Sequence, residues 1–116
     1  MSLLKMIRKI KVHPDYHRVG MILCHNGVVR ATSRNGKAVT ELTVRVNRER
    51  LQEIIAEIKR RPGIIEIFVE IKEGKLGIGE DVMYVVVAGD FRENVFSALM
   101  DTVNLIKKDV TQKIEI

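Results

Sequence analysis

The chain has 116 residues, 46% of them hydrophobic and 30% charged, which suits one domain over residues 1–116 with a core that needs no disulfide or metal. Its one cysteine, Cys24, excludes an intrachain disulfide and fits a reducing cytoplasm, and no apolar run makes a signal peptide or approaches the roughly 18 residues that cross a bilayer. The net charge of +5 favours an anionic partner (nucleic acid, an acidic protein or a phosphorylated small molecule), while 4% aromatics with no Trp argue against a base-stacking surface.

Met1-Ser2-Leu3 reads as partly a cloning remnant. Met6 to Val12 follows as a strand, cut off by His13-Pro14-Asp15. Met21 to Val29 is a stronger strand, with Gly27 as a bulge position. Arg34-Asn35-Gly36-Lys37 is a turn, because Asn-Gly readily takes positive φ. Ala38 to Val46 alternates, with Leu42, Val44 and Val46 on one face and Glu41, Thr43 and Arg45 on the other. The strands on either side of the turn are expected to pair as a hairpin with a long loop.

Asn47 can cap a helix by accepting a free backbone N–H, and Leu51, Ile54, Ile55 and Ile58 form its apolar stripe. Arg60 and Arg61 suit its negative end, and Pro62-Gly63 stops it. Ile64 to Lys72 is a strand with Ile65, Ile67, Val69 and Ile71 on one face, and Gly74, Gly77 and Gly79 make the next segment a loop. Val82 to Ala88 is almost wholly apolar and β-branched, the mark of a central strand buried on both faces. Asp90 caps a second helix, Glu93 completes the capping-box pattern, and Phe96, Leu99, Met100, Val103 and Ile106 line its inner face. Val110 to Ile116 alternates and forms an edge strand. The order β-β-β-α-β-β-α-β makes an α+β fold: two layers, with two main helices on a mostly antiparallel or mixed sheet.

His13, His17, Cys24 and His25 are ligand types. Pro14 disfavours the helix that would align the first two, and no Cys-x-x-Cys accompanies them, so no metal is expected. Cys24 and His25 are strand neighbours on opposite faces, which leaves a half-buried thiol and not an activated nucleophile. Gly74-Lys75-Leu76-Gly77-Ile78-Gly79 runs G-x-x-G-x-G into a strand, so it reads as a tight turn and not as a phosphate loop.

The basic residues carry more information. Arg30, Arg34 and Lys37 cluster near the turn, and Lys107, Lys108 and Lys113 lie at the far end of the chain. Lys107 and Lys108 would also simply complement a helix dipole, and Arg30 and Arg92 would also stand as solvated charges. Arg92, in the first turn of a helix, opposes the dipole and favours a nearby anion. Arg30, Arg92, Lys107 and Lys113 make an anion pocket if the fold brings them together.

In their order, these motifs resemble the large, catalytic subunit of molybdopterin synthase, from about Gly20 to Glu115. Gly20 to Arg30 resembles that family's opening strand, an apolar run ending in Gly27-Val28-Val29-Arg30. Gly36-Lys37-Ala38-Val39-x-x-Leu42 precedes the amphipathic helix, and Gly74-x-Leu76-x-x-Gly79-Glu80 resembles the G-x-L-x-x-G-[ED] turn. Val85 to Arg92, then Phe96-Ser97-Ala98-Leu99, resemble its strand, cap and helix, and Lys107 falls on the catalytic lysine. Phe91-Arg92 stands where the family has His-Arg, Ile71-Lys72 replaces another His-Arg, and Arg45-Val46-Asn47 replaces Glu-His-Tyr. Thr111 to Glu115 stands for the terminal Pro-x-Trp-Lys-x-Glu; Lys113 takes the second lysine's place with a one-residue deletion, and Ile114 takes it without.

The resemblance implies an α/β-hammerhead fold and a role in molybdenum cofactor biosynthesis. Sulfur would pass from the Gly-Gly thiocarboxylate of a small ubiquitin-like carrier to cyclic pyranopterin monophosphate, with no cofactor. Lys107 and Lys113 would be catalytic, and Val28, Val29, Arg30, Phe91, Arg92 and Glu115 would bind substrate. A cytoplasmic homodimer within a heterotetramer is implied, away from membranes and nucleic acid. Two other readings remain: a catalytically degenerate relative acting as a binding or regulatory module, and a small basic nucleic-acid binder.

Overall fold

In the computed structural model, which describes residues 2–116, the chain opens with a helix in place of the strand expected over Met6 to Val12. Helix α1 (Leu3–Lys11) starts at Ser2, whose hydroxyl accepts from the Lys5 N–H. Met6 and Ile10, four residues apart on one face, are fully buried against Val86 and Ala88. Ser2 and Leu3 therefore take part in the fold; Met1 lies outside the described residues. Among the described residues α1 thus adds a third α-helix to the two main ones expected.

The rest runs β1 (Met21–Val28), β2 (Glu41–Val46), α2 (Arg48–Lys59), β3 (Ile64–Ile71), β4 (Gly74–Gly77), β5 (Asp81–Gly89), α3 (Arg92–Leu105), a π-helical turn (Ile106–Val110) and β6 (Thr111–Glu115). Two three-stranded sheets form, β1-β5-β3 and β4-β2-β6, and every strand pair is antiparallel. Strand β5 is central, as its composition predicts. Val85 and Val87 face the main core, and Val86 and Ala88 face α1.

The turn at Arg34 to Lys37 exists, with Gly36 at φ 87° and a bridge from Thr32 to Ala38. The expected hairpin does not. β1 pairs with β5, and β2 with β4 and β6. A buried central strand needs backbone partners on both edges, and β1 supplies one for β5. Gly74 to Gly77 is not loop but strand: Leu42 faces Leu76, and Leu76 is buried.

Helix α2 is as expected. The Asn47 side chain accepts from the Arg50 N–H, Leu51, Ile54 and Ile58 are buried, and Gly63 ends the segment at φ 81°. In β3 a register shift between Ile64 and Glu66 takes Ile65 out of the row formed by Ile67, Val69 and Ile71. Helix α3 departs on two points. Its N-cap is Phe91, and the Asp90 carboxylate accepts instead from Asn94 Nδ2 at 2.8 Å. Its buried face is Val95, Ala98 and Thr102, while Phe96 and Met100 are 52% and 65% exposed. Thr102 is tolerated in the core because its hydroxyl donates to the Ala98 carbonyl at 2.7 Å.

Candidate functional site

Three chain segments converge between the two sheets. At the end of β1 the register with β5 shifts between Gly27 and Val28. Such an irregularity bends a strand away from its partner. Val29 is then buried, donating to the Glu80 carbonyl and accepting from the Gly79 N–H. Arg30 follows, exposed, its Nε donating to the Thr32 carbonyl at 2.9 Å.

The second segment is the π-helical turn. It buries Ile106 and Val110 while turning Lys107 and Lys108 outward. Its wider ring closes with the Thr111 N–H donating to the Ile106 carbonyl. π-helical turns inside helices are rare and concentrate at functional positions. The third segment is β6. Lys113 lies opposite Val44 and Glu115 opposite Leu42, so both point to the face that Leu42 occupies. Ile114 points the other way and is 59% exposed.

Together these segments enclose a cavity of about 500 Å³. Val39, Leu42, Val82 and Met83 make its apolar wall, and Val28 and Val29 line its rim. Its polar lining is Arg30, Arg34, Lys107, Lys113, His25 and Glu115. Two arginines and two lysines thus face one carboxylate. The Lys113 side chain meets solvent, yet the protein mass around its amine, and then Lys107, hold its pKa below the ordinary lysine value; Glu115 works in the opposite direction. Burial, then Lys107 and Lys113, also push His25 down. Repulsion among these groups is relieved by an anion. The same cations can stabilise an oxyanion, and a lysine with a loosened proton can exchange it with substrate.

The cavity therefore brings together Val28, Val29, Arg30, Lys107, Lys113 and Glu115, and it is Lys113 that faces it, not Ile114. Phe91 and Arg92 are not among its lining residues. Both are exposed at the opposite end of α3, where Arg92 Nε lies 3.4 Å from Glu93. Fourteen helical residues separate the two ends, roughly 21 Å at the α-helical rise, so neither side chain reaches the cavity of its own chain.

Two polar residues of the cavity lie outside the set expected from the sequence, Arg34 and His25. Arg34 is expected from the sequence only in the basic cluster near the turn, with Arg30 and Lys37, and not in the anion pocket. For His25 the signal was present in the alternation of β1, which sets it on the inner face with Leu23. Cys24, on the other face, is exposed and not half-buried, and partial desolvation raises its thiol pKa, which does not favour the nucleophilic thiolate. His13 Nδ1 accepts from the Asp15 N–H, and its Nε2 lies 3.5 Å from Glu66. Among the described residues, no three His, Cys, Asp or Glu side chains gather to hold a metal, and no helix is long and apolar enough to cross a membrane.

A family model described as MoaE protein matches residues 2–109. Molybdopterin synthase from Staphylococcus aureus is similar in structure, with TM-score 0.73 and 21% identity over 90% of this chain and 85% of that one. Molybdopterin cofactor biosynthesis protein E from Burkholderia multivorans superposes with TM-score 0.77 and 19% identity, over 99% and 82% of the two chains. A complex of subunits 1 and 2 of molybdopterin-converting factor from Helicobacter pylori contains a chain with TM-score 0.73 and 15% identity, over 99% and 78%. A search of curated proteins finds no match.

Proposed function

The chain belongs to the MoaE protein family and so to molybdenum cofactor biosynthesis as a molybdopterin-synthase-like enzyme; from that premise we propose that its cationic cavity carries out sulfur transfer to a phosphorylated pterin. The donor is the thiocarboxylated Gly-Gly tail of a small carrier protein, and the acceptor is cyclic pyranopterin monophosphate. The observation that carries this reading is the convergence of Arg30, Arg34, Lys107 and Lys113 on one cavity with a partly apolar wall. The donor is anionic, the acceptor carries phosphate, and acyl transfer develops an oxyanion, so each species needs a cation.

In this reading Arg30 takes the phosphate through its planar fork. Lys107 stabilises the oxyanion. Lys113, the lysine with the loosened proton, serves as acid and base, and Glu115 orients it. Val28 and Val29 pack against the tail or the pterin ring. Phe91 and Arg92 contribute through a second copy of the chain, since their own cavity lies beyond their reach. The working assembly is a cytoplasmic homodimer with one carrier docked per protomer. The complex of the two subunits in the Helicobacter pylori structure supports a carrier partner.

Lys107→Ala tests the reading in a reconstituted assay with thiocarboxylated carrier and cyclic pyranopterin monophosphate. Sulfur transfer should disappear while circular dichroism and carrier binding remain. Unchanged turnover would refute the role.

A further inference from the structure

We propose that His25 is a conditional anion-binding residue of the cavity: neutral in the free protein, it takes up a proton and joins the cations when a dianionic group binds. The inference rests on the cavity geometry and on the phosphate-binding part of the function proposed above; it applies to a phosphate monoester, since a cyclic phosphodiester such as the acceptor's carries one negative charge and recruits the proton less completely.

Alternation along β1 turns His25 inward. A Cβ built on Gly27 would stand 3.5 Å from its Nε2, so the imidazole extends alongside the space that glycine leaves free. His25 lines the cationic cavity with Lys107 and Lys113, and it also borders an apolar groove made by Leu23, Phe96, Leu99 and Met100. The charged groups of the cavity are Arg30 and Arg34 from the loop after β1, Lys107 from the π-helical turn, and Lys113 and Glu115 from β6. β5 and α3 present no charge there: they contribute Val82 and Met83, and Asn104 at the groove. A proton on this ring therefore sits in a positive field with apolar atoms on one flank. Burial and the two lysines place His25 below its ordinary value of 6.5.

A bound dianion changes the sign of that field. The imidazolium is then stabilised by contact with the ligand, and the pKa of His25 rises in the complex. Because binding and protonation are linked, the ligand must take up a proton over the pH range between the free and bound values. A monoanion offsets the surrounding charge less and recruits the proton less completely. The cavity thereby distinguishes a phosphate monoester from a carboxylate at neutral pH, and releasing the phosphate returns the proton.

Inorganic sulfate is the probe, because it remains a dianion throughout the histidine range, so any proton taken up belongs to the protein. The full chain is titrated calorimetrically at constant ionic strength, from about pH 5.5 to 8, in buffers of different ionisation enthalpy. Uptake approaching one proton per site is expected, with affinity weakening up to tenfold per pH unit across the window. His25→Gln should abolish the uptake and flatten the pH dependence. In the wild-type protein, the His25 imidazole resonance should titrate at higher pH with sulfate than without, which keeps the test decisive if the variant folds poorly. The inference is overturned if sulfate does not bind, if uptake survives in His25→Gln, or if the resonance titrates identically with and without sulfate. None of these readouts involves the carrier. Lost sulfur transfer with proton uptake intact would count against the proposed function alone.

Discussion

Arg50 on α2 grips Asp109 in the π-helical turn, its Nη2 and Nε donating to one carboxylate oxygen at 3.1 and 3.3 Å. The Asn47 N–H adds a bond to the Val110 carbonyl at 2.8 Å. Helix α2 contributes no residue to the cavity lining, yet it fixes the turn that delivers Lys107. Asp109→Asn is expected to lower turnover roughly ten- to a hundredfold, the scale of a small misplacement of a reacting group. Carrier affinity should change little. Turnover and carrier binding measured side by side check this; an unchanged kcat would remove Asp109 from any positioning role.

Lys113 is held charged in surroundings that disfavour its charge. Its folded pKa lies below the unfolded value, so the native state binds this proton more weakly than the denatured chain does. Stability is therefore greatest above the ordinary lysine value of 10.5 and declines as pH falls through the folded pKa. Below the folded pKa the penalty is present in full. Lys113→Met should raise Tm at pH 7, with the gain shrinking as pH approaches 10.5, and should lower sulfur transfer at the same time. A thermal melt at each pH, paired with the turnover assay, measures both; a lower Tm at pH 7 would contradict the account.

Glu66 is a buried carboxylate at 8% exposure. It lies 2.9 Å from Lys59 Nζ and 3.5 Å from His13 Nε2, and it accepts from the Ile67 N–H at 3.0 Å. It thus joins the ends of α1 and α2 to β3. Glu66→Ala strands a buried N–H and should cost about 1–3 kcal/mol in urea unfolding. Glu66→Gln keeps an acceptor and should cost less.

Met6 and Ile10 are fully buried on the face of β5 opposite the main core. Either residue changed to Ala should destabilise by about 2–5 kcal/mol through cavity formation. Turnover per folded molecule should stay at the wild-type level, because α1 has no side chain in the cavity. A fall in kcat that persists after correction for the folded fraction would show coupling that the packing does not predict.

Local patterns carried much of the fold. Asn47, the stripe Leu51-Ile54-Ile58 and Pro62-Gly63 define α2 from neighbours within a few turns. The apolar run of β5 declares its own burial. Helix α1 was ambiguous because Ile10-Lys11-Val12 alternates like a strand, while Met6 and Ile10 repeat like a helix. Only contact with Val86 and Ala88 selects the second period. In α3 the bulky stripe with Phe96 and Met100 competed with Val95, Ala98 and Thr102. Tight approach decided for the smaller set: a Cβ on Gly89 of β5 would come within 2.8 Å of Val95 Cγ2, which leaves little room for larger side chains.

The sequence by itself determined the elements with strong local periodicity, the positive charge, and an ordered set of motifs that resembles one family. It also showed Arg30, Lys107 and Lys113 as individual cations. That three of the four expected cations share a cavity, that Arg34 and His25 join them, and that Arg92 does not, was decided by tertiary structure. Periodicity and capping are set by residues within a turn or two of one another. The cavity depends on a strand irregularity at Gly27, a π-helical turn at Ile106 to Val110 and the pairing of β2 with β6, and the last joins segments far apart in the chain.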